Sequence, residues 1–203
     1  YIINCSSNKK YIKKKYSKKN DFDLIIANKI RHRNIKMIFL SSRKIYKSKY
    51  DIKESSKLLP TCNYSKNKLI SEINLKKILN KNVLILRISN LIGIDVKQKK
   101  KLHQTFVNIF FNKIEKGVIL QNDKCYKDFL SINKFCQIVN ELIKNNADGV
   151  YNVSIGKKIY LSQITKWLNY YNKNEYKYVK LAKSHNKDSF TLNNKKLMKK
   201  ISL

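Results

Sequence analysis

The sequence predicts an α/β protein, a doubly wound parallel sheet joined to a smaller α+β lobe, and three observations carry that prediction. Continuous apolar runs at Met37 to Leu40 and Val83 to Leu86 suit strands covered on both faces. Segments of helical period lie around them, at Asp21 to Arg33 and at Asn63 to Leu79. Polar turns, Ser6-Ser7-Asn8 and Ser41-Ser42, close the first two strands. Strands alternating with helices in this way need crossover connections, and crossovers make a parallel sheet.

Each element follows in order. Tyr1-Ile2-Ile3-Asn4-Cys5 is the first strand, and Lys9 to Lys19 is a basic, aromatic-dotted stretch whose pattern assigns it no structure. The helix at Asp21 to Arg33 carries Phe22, Leu24, Ile25, Ile26 and Ile30 at near-helical spacing, and Lys36 to Leu40 is the second strand. A loop with the only proline, Pro60, leads to the helix at Asn63 to Leu79, whose apolar positions include Leu69, Ile73 and Leu75. Val83 to Ile88 is the third strand. Helical pattern returns at Gln104 to Lys116 and ends at Gly117, and Val118-Ile119-Leu120 is a short strand. Helices at Asn133 to Lys144 and Leu161 to Tyr170 then flank a strand at Gly149 to Val153, and from Asn172 the tail is polar and basic. Residues 1–95 are assigned to the sheet domain and 96–203 mainly to the smaller lobe, with segments of the two interleaved.

A chain of 203 residues can bury one sizeable core, or one and a half. Its net charge of +32 invites a nucleic-acid reading. Only four of the 45 basic residues are arginine, however, and arginine makes the bidentate contacts that base and phosphate recognition favour. The lysines are spread along the chain among many Asn and Ile, all three specified by A/T-rich codons, so base composition accounts for them. No nucleic-acid partner is expected, although the charge attracts anions at low salt. Cys5, Cys62, Cys125 and Cys136 have no Cys-x-x-Cys spacing and His32, His103 and His185 are scattered, so no metal site is expected. No apolar run is long enough to span a bilayer and no leader pattern opens the chain, which reads as cytoplasmic. A start at Tyr1, in mid-strand, suggests an amino-terminal truncation.

One constellation carries chemistry. Tyr64 and Lys68 stand at i and i+4 on the predicted helix, so both face one way. An ammonium beside a phenol favours the phenolate, which suits a general acid/base for alcohol–ketone interconversion. Tyr-x-x-x-Lys recurs by chance in so Lys-rich a chain, where it is a surface pair. Ser42 adds context: it closes a buried strand, and ligands of open α/β sheets bind beyond the carboxyl ends of the strands.

The ordered series of motifs resembles the extended short-chain dehydrogenases, which include nucleotide-sugar epimerases, dehydratases and reductases. Ile38 to Tyr46 looks like their strand ending in Ser-Ser, and Glu54, Pro60 and Tyr64 to Lys68 follow at the family's spacing. Leu69 to Glu72, Leu86 to Gly93, Lys127-Asp128-Phe129 and Tyr151-Asn152-Val153 continue the likeness as far as Leu168. The resemblance implies a Rossmann-like sheet, NAD or NADP as cofactor, a nucleotide-sugar substrate, and a homodimer among the assemblies it allows. Carried over, Ser42, Tyr64 and Lys68 are the catalytic residues, with Tyr64 and Lys68 also at the cofactor and Ser42 at the substrate. Asn90 matches a substrate contact. Cys5 and Ser6 match cofactor-lining positions, or else form a plain strand-ending turn. Asn20 is a fourth catalytic member or a helix cap, and His103 faces the substrate or solvent.

Two departures qualify the likeness. The only glycines are Gly93, Gly117, Gly149 and Gly156, so the first strands and the glycine-rich phosphate loop are missing, and this chain alone is expected to be inactive. Arg43-Lys44 stands where sugar dehydratases carry Asp-Glu, which argues against dehydration and for epimerisation or keto-sugar reduction. The rival readings are a catalytically idle member of the same fold and a basic nucleic-acid-binding protein.

Overall fold

A computed structural model describes residues 1–93, 125–172 and 188–201. Its described elements are β1 (Ile2–Ile3), α1 (Lys9–Lys13), α2 (Phe22–Ile30), β2 (Met37–Ser42), α3 (Asn63–Leu79), β3 (Val83–Ile88), β4 (Asn90–Ile92), β5 (Tyr126–Lys127), β6 (Phe129–Ser131), α4 (Ile132–Lys144), β7 (Gly149–Val153), β8 (Ile159–Tyr160), α5 (Leu161–Asn172) and α6 (Lys195–Met198). The expected helix at Gln104 to Lys116, the strand at Val118 to Leu120 and His103 lie outside the described residues.

Among the described residues, four parallel strands form the main sheet in the order β1-β2-β3-β7. Side chains alternate across it, as the two-residue period of a strand requires. Met37, Phe39, Val83 and Ile85 meet Ala27 and Ile30 of α2 and Leu75 and Leu79 of α3 on one face. Ile38, Leu84, Leu86, Tyr151 and Val153 meet Phe135, Ile138 and Leu142 of α4 on the other. Two helical layers therefore enclose a sheet of continuous apolar strands, each buried Ile or Leu contributing roughly 1.5–3 kcal/mol. β7 comes from the second half of the chain yet pairs with β3, so the sheet is assembled from both halves. Two smaller sheets, β4-β6 and β5-β8, stand beside it.

β1 is an edge strand among the described residues, pairing with β2 alone, and Ile3 is 40% exposed. The stretch Lys9 to Lys19, which sequence pattern left unassigned, contains α1, with Asn8 as its cap accepting from the Lys10 N–H. Tyr11 and Ile12 are buried there. The tail departs further from its sequence reading. Phe190 and Leu192 join Ile45, Tyr46 and Ile52 in a third apolar cluster, and Leu197 and Ile201 enter the β3–β7 core. Its few apolar residues lack a period because each reaches a different part of the fold. No helix of the described residues is long and apolar enough to cross a membrane.

Candidate functional site

The carboxyl ends of β1, β2 and β3 open on one side of the sheet, and the candidate residues lie there. β2 ends at Ser42, whose hydroxyl oxygen accepts the Lys44 N–H at 3.2 Å as the chain turns into a 3-10 segment, Arg43–Ile45. Helix α3 begins after Cys62. The Ser65 hydroxyl donates to the Cys62 carbonyl at 2.9 Å and accepts the Cys62 N–H at 3.2 Å, which closes the first turn. Tyr64 thereby sits one residue into the helix, close enough to Ser42 for that hydroxyl to favour its phenolate. Two residues 22 apart in sequence meet because a strand end and a helix start meet.

Desolvation raises the Tyr64 phenol above its ordinary value, and the nearby Ser42 hydroxyl pulls the other way. The expectation that the i+4 ammonium sets this phenol's acidity needs refinement, because burial, Ser42 and Cys62 are what act on Tyr64, while the Lys68 ammonium lies against other rings. Lys68 is 9% exposed, with its ammonium 4.5 Å from the centre of the Phe39 ring and 5.6 Å from that of Tyr11. Burial lowers its pKa, while Asp23, Asp21 and Glu72 oppose the fall. Among the described residues its nitrogen has neither a hydrogen-bond acceptor nor an ion-pair partner. Asp23 is raised by burial in turn, although Lys68 and the Asn4 amide, 3.1 Å away, favour its charge.

The remaining predicted residues fall around this centre. Cys5 and Ser6 are exposed beyond β1, and Ser6 turns back to bond Asn4 through both its N–H and its hydroxyl. That is the geometry of a strand-ending turn, and it leaves Cys5 facing outward. Asn20 borders a small hollow with Ser6, Tyr11 and Asp23. The cap of α2 is Asp21, not Asn20: its carboxylate accepts the Leu24 N–H at 3.1 Å. Asn90 lies on β4, its amide donating to the Asp128 carbonyl at 3.1 Å. No group of His, Cys, Asp and Glu among the described residues is placed to hold a metal.

Several motif residues turn out to be braces. Arg87 on β3 is buried and bonds Glu72 of α3 at 2.7 Å, the Tyr46 hydroxyl at 2.6 Å and the Glu54 carbonyl at 3.0 Å. Ser41 donates to Glu72 at 2.5 Å, and Tyr46 donates to Asn152 of β7 at 3.0 Å. The network ties β2, β3, β7 and α3 together directly behind Ser42.

Sequence reasoning missed Asp188. This carboxylate from the tail pairs with Arg43 at 2.9 Å and Lys127 at 2.8 Å and holds the segment after Ser42 in place. Burial alone would raise it, but Arg43, Lys127 and Ser48 hold it well below the ordinary carboxylate range. Its sequence signal was a rare acid in a lysine-rich tail, which names no partner.

Solved structures share this fold of a parallel sheet between helical layers. The UDP-N-acetylglucosamine 4-epimerase of Methanobrevibacter ruminantium M1, in complex with UDP-N-acetylmuramic acid, superposes with a TM-score of 0.76 at 22% identity, covering 92% of this chain and 63% of that one. The UDP-glucuronic acid 4-epimerase of Bacillus cereus, in complex with NAD, gives a TM-score of 0.70 at 13% identity, covering 88% and 59%. The UDP-glucose 4-epimerase of Thermotoga maritima, with UDP-glucose, gives 0.64 at 18% identity, covering 87% and 60%. The chain thus spans about three-fifths of the length of the structures it matches. No family model matches the sequence, and no curated protein matches it.

Proposed function

We propose that the protein interconverts nucleotide sugars by moving a hydride between NAD(P) and a sugar carbinol, with epimerisation as the net reaction. The observation that supports this most is the proximity of Ser42 and Tyr64, where the carboxyl end of β2 meets the start of α3. The three solved structures cited are all nucleotide-sugar 4-epimerases.

The residues present fit the nicotinamide end of the cofactor. Lys68 carries three donors with no acceptor among the described residues, beside two ring faces, which suits the hydroxyls of a ribose. Cys5 and Ser6 border the same edge, while no glycine-rich loop is present for the pyrophosphate. When bound, NAD(P) would supply a reversible hydride acceptor.

The chain's own groups supply the proton chemistry. The Ser42 oxygen accepts the Lys44 N–H through one lone pair, and its own proton can be given to Tyr64 or to a sugar oxygen. Tyr64 as phenolate would take the carbinol proton and later return it. The raised phenol disfavours this, so a bound cation near the ring must lower it before reaction. Lys68, once drawn toward the ribose, would be that cation. Epimerisation requires the oxidised sugar to present its other face before the hydride returns. Arg43, paired with Asp188, has no lone pair with which to act as a base, in keeping with epimerisation over dehydration.

The test is to incubate the full-length protein with NAD and UDP-glucose, UDP-N-acetylglucosamine or UDP-glucuronate and follow the sugar protons by NMR. A C4 epimer is expected. Unchanged sugars in all three, with NAD bound, would defeat the reading.

A further inference from the structure

We propose that the cavity beside Ser42 and Tyr64 is a subsite for a carboxylate, so that the sugar this protein takes is acidic. The inference rests on the nucleotide-sugar reading and specifies its substrate class. A cavity of about 270 Å³ opens beside the site, lined among others by Arg43, Lys44, Lys47, Thr61, Cys62 and Asp188. Arg43 and Lys44 follow directly on Ser42, and Thr61 and Cys62 lead into Tyr64. The Lys44 ammonium lies 5.9 Å from the centre of the Tyr64 ring. The cavity therefore begins within a sugar's width of the hydroxyl pair.

Its charge is unbalanced in a specific way. Asp188 is committed to Arg43 and Lys127, which removes the acid and one cation from the wall. Lys44 and Lys47 have no acidic partner among the described residues, and Lys44 is half-buried. A half-buried ammonium without a partner is a cost that an incoming anion removes. The Cys62 thiol registers the same field: burial raises it, but hydrogen bonds with Ser65 and the Lys44 charge bring it below its ordinary value.

A nucleotide sugar has two anionic parts, and position separates them. With the reacting carbon held between Ser42 and Tyr64, a substituent on an adjoining carbon would be within reach of the cavity wall, whose Arg43, Lys44, Thr61 and Cys62 flank those two residues in the chain. The diphosphate on the anomeric carbon lies across the ring from a reacting C4. The group that meets Lys44 and Lys47 is therefore a carboxylate borne next to the reacting carbon, as in a uronic acid. Thr61 adds a neutral donor to the same wall.

Equilibrium binding to the NAD-loaded full-length protein tests this, with UDP-glucuronate, UDP-glucose and UDP alone as probes. UDP-glucuronate is expected to bind about tenfold tighter than UDP-glucose, a difference that shrinks with added salt. Lys44→Met and Lys47→Met are expected to pull that ratio toward one, with little effect on UDP. Equal affinities for the two sugars in the wild type would overturn the proposal. So would a Lys44→Met variant that weakens UDP as much as UDP-glucuronate, because the cavity would then take the diphosphate. If none of the three probes binds, the nucleotide-sugar reading itself fails and takes the subsite with it.

Discussion

At the carboxyl end of β3 Arg87 is buried among partners, with Glu72, Tyr46 and the Glu54 carbonyl each bonded to its guanidinium. On the second turn of α3 Lys68 is buried almost as deeply, against two aromatic rings and with no acceptor among the described residues. Burial works against both charges, yet Glu72 and Tyr46 hold Arg87 above its ordinary pKa while Lys68 falls below its own. The two cations lie on a strand and the helix packed against it, so the difference is one of partners rather than of depth. A satisfied buried charge holds strands together. An unsatisfied one keeps its donors for something else, at a cost to stability.

Four perturbations test that contrast. The largest effect is expected at the hydroxyl pair: Tyr64→Phe in the full-length protein should lower kcat by about 10²–10⁴-fold, the usual worth of a general acid/base. Cofactor affinity should stay within a few-fold, because the ring packing is kept. A variant retaining more than about a tenth of wild-type turnover would remove Tyr64 from the chemistry.

Arg87→Met should cost about 3–5 kcal/mol in urea unfolding, because it strands Glu72 as an unpaired buried carboxylate. A loss under about 1 kcal/mol would mean that Glu72 takes up a proton or water at little expense, and the bracing role would fall.

Asp128 extends the comparison to an anion. It is fully buried, and desolvation lifts its pKa to about 6 although the Leu192 N–H bonds it at 3.0 Å. A raised carboxylate binds its proton more tightly folded than unfolded. Its contribution is therefore most favourable below about pH 4 and is lost as pH rises through about 6, roughly 3 kcal/mol in all. The difference in unfolding free energy between wild type and Asp128→Asn, measured from pH 4 to 7, should show that slope. A flat difference would place the carboxylate's pKa at its ordinary value.

The smallest effect is the most diagnostic. Lys68→Met should weaken NAD(P) binding by about tenfold, the equivalent of 1.4 kcal/mol, and move the pH–rate profile toward alkali. It should not destabilise the fold, because methionine fills the space without a desolvated charge. A depressed lysine penalises folding while protonated, so the variant's advantage should fade as pH climbs toward the free-lysine value of about 10.4. A destabilised variant with normal cofactor affinity would make Lys68 another brace.

Much of this arrangement was legible in the sequence, because local rules govern it. The apolar runs at 37–40 and 83–86 had to be covered strands, and Tyr64 and Lys68 had to share a helix face. The cap of α2 was misread by one residue, since Asn20 and Asp21 are both good caps and only the turn geometry chose Asp21. The tail was misread more deeply. Phe190, Leu192, Leu197 and Ile201 are too sparse to show a period, and their burial depends on clefts formed by residues far earlier in the chain.

Local pattern was enough for the main strands and their flanking helices, the parallel sense of the main sheet and the residue types at its strand ends, but not for α1 or the short strands β4, β5, β6 and β8. Period, turn chemistry and chain connectivity act over a few residues and leave a local trace. Tertiary structure alone decided which charges were satisfied. Arg87 found Glu72 across 15 positions and Asp188 found Arg43 across 145, while Lys68 and Lys44 were left without an ion-pair partner among the described residues. Pairing energy depends on the distance and burial of two side chains in space, and neither quantity is written in the spacing of a sequence.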